Sequence, residues 1–74
     1  MTTWMVQAYS RRKRRAELQM DLHHANAKLS SLRATKRQRM AMLDKEGVED
    51  SQARVDAQEL RVLELKRELR ELEN

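Results

Sequence analysis

The chain has 74 residues, of which 38% are charged, with a formal net charge of +4 at pH 7 and no cysteine or proline. A chain of this length holds at most one small core, and the absence of cysteine excludes disulfides and thiolate metal sites. No run approaches the roughly 20 apolar residues that a membrane-spanning helix needs, so we expect no membrane-spanning helix, and a membrane surface is the least favoured partner.

The composition predicts an all-α protein. Strong helix formers dominate the chain, whereas isoleucine and phenylalanine are absent and valine occurs four times, which excludes a β-sheet core. The first ten residues are apolar before the basic residues begin, the reverse of a secretory signal. We therefore expect the protein to reside in the cytoplasm or within a virus particle, with the nucleus as an alternative.

Residues 1–17 form the basic arm, which is predicted to be a helical N-terminal extension. It carries the two aromatic residues Trp4 and Tyr9, which we interpret as anchors for a pocket of a partner. Five consecutive bases follow, and such a cluster attracts anionic partners: Arg11, Arg12, Lys13, Arg14 and Arg15. Nucleic acid, an acidic protein surface and anionic lipid remain alternatives, beside a solvated helix start with no ligand.

A basic run before leucines at heptad spacing superficially suggests a basic leucine-zipper DNA-binding protein. The sequence departs from that pattern, because the heptad repeat is interrupted at Lys36 and Arg39 and the second half of the chain is acidic. We therefore do not adopt that interpretation.

Two stripes at heptad spacing predict two helices of a coiled coil. The first stripe alternates steps of four and three residues: Leu18, Leu22, Ala25, Leu29, Leu32, Lys36, Arg39 and Leu43. The second has the same alternation: Val55, Gln58, Val62, Leu65, Leu69 and Leu72. Paired about Gly47, the stripes give the predicted hairpin seam of Leu22, Ala25, Leu29, Leu32, Val62, Leu65, Leu69 and Leu72.

The only glycine, Gly47, is the predicted turn, because glycine readily adopts the left-handed conformation that ends helices. Asp50 and Ser51 are the expected N-caps of the second helix. The sequence thus predicts an antiparallel two-helix coiled-coil hairpin over residues 18–74, with helices at about 5–44 and 50–73 and a turn at about 45–49. A single helix of about 65 residues is the alternative, since one glycine costs only about 1 kcal/mol in a helix.

Charge supports this pairing. Residues 1–43 carry ten Lys and Arg against two acids, whereas residues 44–74 carry six against ten, so that the halves have net charges of +8 and −4. Opposite charge favours antiparallel contact between the halves and penalises parallel pairing of like halves.

A second apolar surface is predicted away from the seam. Small or apolar residues recur there on both helices: Met20, Ala27, Ala34 and Ala41, then Ala53, Ala57, Leu60 and Leu63. Exposed leucines beside alanines often mark contact surfaces, so we expect a dimer or a place in a larger helical bundle.

No catalytic arrangement, cofactor site or metal site is expected from these residue types and spacings. The sequence therefore predicts a non-enzymatic structural or adaptor subunit that assembles with protein partners or with itself. A small nucleic-acid-binding protein, contacting phosphates through residues 11–15, is the alternative.

Overall fold

The computed structural model describes the backbone of residues 2–73 and the side chains of residues 6–73. Two helices, α1 (Thr2–Ala41) and α2 (Lys45–Glu73), pack against each other as a helical hairpin. The hairpin is a rod of 63 × 14 × 13 Å, and the 40 residues of α1 account for its length at a rise of about 1.5 Å per residue. A single unbroken helix would be about 110 Å long, so the chain folds back on itself.

The core is a single line of side chains between the two helices. Six hydrophobic residues are buried: Leu18, Ala25, Leu29, Val55, Val62 and Leu65. Four more pack against them while half-buried: Leu22, Leu32, Leu69 and Leu72. All eight residues of the predicted seam belong to these two sets, because heptad spacing keeps a stripe on one side of each helix.

Leu43 ends α1. Its φ of 59° is left-handed, and its amide donates to the carbonyl of Met40 at 3.1 Å, while the amide of Asp44 donates to the carbonyl of Arg39 at 3.1 Å. These two bonds form a Schellman motif, in which glycine normally holds the left-handed position. Here leucine does, so the end of α1 has no glycine to mark it in the sequence.

Asp44 begins α2. Its carboxylate accepts a hydrogen bond from the amide of Gly47 at 3.0 Å, and its carbonyl accepts one from the amide of Val48 at 2.8 Å. Both are bonds of an N-cap residue. A Cβ at Gly47 would overlap the Asp44 carboxylate and would lie 3.0 Å from Cδ of Arg39, so the glycine serves close packing in the first turn of α2.

The turn therefore differs from the sequence prediction. It lies at residues 42–44, α1 ends at Ala41 and α2 begins at Lys45, so that Gly47, Asp50 and Ser51 are helical residues. Gly47 has no positive φ. The predicted left-handed glycine and the predicted N-caps Asp50 and Ser51 are wrong, because Leu43 and Asp44 provide the end and the start of the helices.

Moving the turn also moves the register. Symmetry about Gly47 would leave Leu18 beyond the end of α2, yet Leu18 is buried and lines a groove with Glu68 and Leu72. The pairing predicted about Gly47 is thus wrong by about one heptad. When α2 is shifted along α1 by one heptad, each seam residue faces the stripe residue seven positions away from its former partner. The same two stripes are therefore buried in both registers.

Polar side chains complete the seam near the turn. The Arg39 guanidinium donates to the Gly47 carbonyl at 3.0 Å and to the Ser51 hydroxyl at 2.9 Å. Farther along, the Gln58 side-chain amide donates to the Ala25 carbonyl at 3.0 Å. Polar seam positions that weaken an apolar stripe in the sequence therefore act as specific cross-links between the helices.

Candidate interaction surfaces

The basic run divides into two groups in the structure. Arg14 forms an ion pair with Glu68 at 3.0 Å and lies 3.7 Å from Glu17, and Arg15 pairs with Glu73 at 3.4 Å. Arg14 and Arg15 therefore belong to the contact between the helices. The prediction that the hairpin begins at residue 18, with residues 1–17 as an extension, is therefore wrong for these two arginines.

The rest of the arm extends past the end of α2. Residues 2–13 project by about 18 Å at the helical rise, and we call them the N-terminal overhang. Arg11, Arg12 and Lys13 are exposed, and none of them pairs with an acid among the side chains of residues 6–73. The overhang is therefore the part of the arm whose positive charge is not neutralised by α2.

The predicted aromatic anchors lie on the same overhang. Tyr9 is 69% exposed, and Val6, one helical turn before it, is 61% exposed. The side chain of Trp4 lies outside the described residues. Tyr9 and Val6 thus put an exposed apolar surface directly beside the bases.

The second predicted surface remains outside the core. On α1 its residues are exposed along one side: Met20, Ala27, Ala34 and Ala41. On α2 its residues are also exposed: Ala53, Ala57, Leu60 and Leu63. Because each set lies away from the buried stripe of its own helix, the structure does not bring the two sets together.

We call the α2 set the outer surface of α2, because its four residues are exposed on the side of that helix away from the seam. Ala57 borders a shallow groove with Lys28 and Leu32, whereas Leu63 borders another groove with Leu29 and Val62. Leu60 and Leu63 are 58% and 61% exposed. Two large apolar side chains are therefore available to a partner beside the grooves between the helices.

A further apolar surface lies at the turn, and sequence reasoning missed it. Met40, Met42 and Leu43 are 52%, 71% and 91% exposed, and Val48 is half-buried beside them. We call these four residues the tip surface. The four consecutive apolar residues at 40–43 were a signal in the sequence. The heptad pattern, however, placed Leu43 in the first stripe and gave Met40 and Met42 no role.

The tip surface is surrounded by acids. Asp44, Glu46 and Glu49 are exposed and form no ion pair with the described side chains, and Lys45 is the base among them. These acids also lie at the positive N-terminal end of the α2 dipole, which they stabilise. The two ends of the rod thus differ in charge, basic at the overhang and acidic at the tip.

Between the ends of the rod, the ion pairs that connect the helices have their bases on α1 and their acids on α2. Arg14, Arg15, Arg33 and Arg39 on α1 pair with Glu68, Glu73, Glu59 and Asp50 on α2, respectively. Their side chains are about one third to one half exposed, so each pair contributes about 0–1 kcal/mol. They favour this pairing of the helices more than they stabilise it.

Within the described residues, no group of three His, Asp or Glu side chains is arranged to hold a metal ion. Over the same part of the chain, neither helix contains a stretch that is both long and apolar enough to cross a membrane. The surfaces described above are therefore the features from which a function can be inferred.

Comparison with known proteins gave no match: no family model, no curated protein and no solved structure is significantly similar to this chain. Its function has to be inferred from its own residues.

Proposed function

We propose that the protein is a non-enzymatic structural or adaptor subunit that assembles with other helices. In this proposal the seam is a short coiled coil, the outer surface of α2 packs against a partner helix or a second copy, and the basic arm contacts an acidic partner. The hairpin would then be one part of a larger helical bundle.

The exposure of Leu60 and Leu63 is the observation that carries this proposal. Both leucines are more than half exposed, although only six hydrophobic side chains among residues 6–73 are buried between the helices. A chain of this size without disulfides or a metal usually needs association to be stable. Burying one such leucine in an interface contributes about 1.5–3 kcal/mol, a large fraction of the stability of a small domain.

Light scattering and circular dichroism of Leu60→Asp test the proposal. The wild-type chain should have a mass above the monomer value of 8.8 kDa, and its helicity should rise with concentration. Leu60→Asp should retain helicity at high concentration while the average mass falls, because Leu60 is outside the core and its side chain is available to a partner. Ser31→Asp, which introduces the same charge at an exposed site of α1, is the matched control and should leave the mass unchanged.

A contrary result is well defined. A wild-type monomer that is fully helical at all concentrations and unfolds with ordinary stability would need no partner. That behaviour would contradict the assembly proposal.

Nucleic-acid binding is the second candidate, and the unneutralised charge of Arg11, Arg12 and Lys13 favours it. Each phosphate contact makes the affinity fall more steeply as the salt concentration rises, so binding through these three side chains would depend strongly on salt. Gel-shift assays over a salt series with the triple Gln variant at these positions test it. Lys66→Gln combined with Arg70→Gln is the control, because these bases also form no ion pair with the side chains of residues 6–73 but lie on α2. Tight, salt-dependent binding that only the arm variant loses would favour this candidate over the adaptor.

A further inference from the structure

We propose that the two ends of the rod bind each other, so that the N-terminal overhang of one copy docks on the tip surface of another. This inference rests on the assembly function proposed above and names the partner of both ends as a second copy of this chain.

The overhang provides one half of the contact. Val6 and Tyr9 are exposed by 61% and 69%, and Arg11, Arg12 and Lys13 follow, which form no ion pair among the side chains of residues 6–73. A helix that presents apolar side chains beside bases fits a partner with an apolar surface bordered by acids.

The turn provides such a surface. Met40, Met42 and Leu43 are exposed by 52%, 71% and 91%, and two of them, Met40 and Leu43, border a shallow depression with Val48. Methionine side chains are flexible and adapt to a partner helix. The acids around them are Asp44, Glu46 and Glu49.

The two charged regions have opposite sign, although Lys45 stands among the acids of the tip and lines the depression. Arg11, Arg12 and Lys13 stand against Asp44, Glu46 and Glu49, and in both regions the charge lies next to exposed apolar side chains. The two regions lie at opposite ends of a 63 Å rod, so they cannot meet within one chain. In a contact between two copies, the bases and apolar side chains of one overhang meet the acids and apolar side chains at the tip of the other copy.

The geometry of this contact determines the product. Overhang and tip are different surfaces, so the interface is heterologous, and successive copies translate along the rod axis. Two antiparallel rods side by side would join both pairs of ends in a closed dimer, whereas copies in line form chains of increasing length. We expect the in-line arrangement, because the overhang projects beyond α2 along the rod axis.

A charge-exchange experiment tests the inference by sedimentation velocity over a concentration series at low and high salt. The overhang variant carries Arg11→Glu, Arg12→Glu and Lys13→Glu, and the tip variant carries Glu46→Lys and Glu49→Lys. Asp44 is retained because it caps α2. Glu64→Lys combined with Glu71→Lys is the matched control on the middle and end of α2, and circular dichroism checks that each variant remains helical.

The wild type should form species larger than a dimer, and salt should weaken them. Each variant alone should associate roughly tenfold more weakly or worse, because its two ends then carry charge of the same sign. An equimolar mixture of both variants should recover the association, since each then presents the charge that the other lacks. Tyr9→Ser and Leu43→Ser should weaken it without removing the salt dependence.

Three results would overturn the inference: a wild type that stays monomeric, a closed dimer that neither charge variant affects, or a mixture that does not recover. The outer surface of α2 is tested separately with Leu60→Asp. If Leu60→Asp removes association and the charge variants do not, the proposed function stands and the end-to-end contact fails. Chains that persist in Leu60→Asp but not in the charge variants would show that copies associate through their ends and not through the outer surface of α2.

Discussion

The guanidinium of Arg39 and the hydroxyl of Ser51 form a hydrogen bond of 2.9 Å across the hairpin, and Ser51 is only 2% exposed. The same guanidinium nitrogen also donates to the Gly47 carbonyl. One side chain of α1 thus holds two groups in the first turns of α2 and connects the end of one helix to the start of the next.

Replacing Arg39 by alanine should destabilise the hairpin by about 1–3 kcal/mol, because the buried Ser51 hydroxyl and the Gly47 carbonyl both lose their donor. Urea unfolding followed by circular dichroism at fixed protein concentration measures the change. Arg37→Ala is the control: it removes an exposed arginine of the same turn that makes no such contact, and it should change stability by less than about 0.5 kcal/mol. Equal effects of the two substitutions would contradict the role of Arg39.

Gly47→Ala should not give the stabilisation that glycine-to-alanine changes in helices usually give. The new Cβ would overlap the Asp44 carboxylate, so the N-cap bond, which contributes about 1 kcal/mol, would be lost or strained. In an Asp44→Ala background this overlap is gone and only the 3.0 Å contact with Cδ of the flexible Arg39 side chain remains, so the same change should stabilise, though by less than the roughly 1 kcal/mol usual in a helix. The sign reversal between the two backgrounds, measured by thermal unfolding, is the diagnostic result.

Leu43→Gly should stabilise the isolated hairpin by about 1 kcal/mol, because leucine is strained at a positive φ and glycine is not. Little burial is lost, since Leu43 is 91% exposed. Leu43→Ala removes the same exposed side chain but keeps the strain, so it should leave stability nearly unchanged. A gain for alanine as large as that for glycine would show that conformational strain is not the cause.

Leu65→Asp and Leu29→Asp should each abolish most of the helicity, because either change puts a charge into the line of buried side chains that joins the helices. Ser30→Ala, at an exposed position next to Leu29, should leave the circular dichroism spectrum unchanged. Comparable tolerance at all three positions would contradict the assignment of the core.

Periodicity was sufficient to predict two helices and the side chains between them, because a heptad stripe defines one side of a helix without reference to the partner. It could not define where the chain turns. That depended on Leu43 in a left-handed conformation and on Asp44 as a cap, neither of which differs in the sequence from a seam leucine and a surface acid. Because the prediction placed the turn at Gly47, it gave a turn at about 45–49 instead of 42–44. The predicted pairing of the two stripes was displaced with it.

Surfaces were harder to predict than the core. The exposed leucines of α2 could be identified as lying away from the stripe, but the tip surface depends on where the turn exposes Met40, Met42 and Leu43. Likewise, five consecutive arginines and lysines look equivalent in the sequence. Only the register separates Arg14 and Arg15, which reach acids of α2, from the three bases before them.

The buried stripe does not by itself fix how the two helices are aligned. Because its pattern repeats every seven residues, the apolar contacts alone would permit α2 to slide along α1 in whole heptads and remain covered. The hydrogen bond between Arg39 and Ser51 fits one of these alignments, whereas a backbone carbonyl such as that of Ala25, which Gln58 reaches, is present in every alignment. The Arg39–Ser51 pair therefore selects the alignment of the helices, and with it the length by which α1 extends beyond α2.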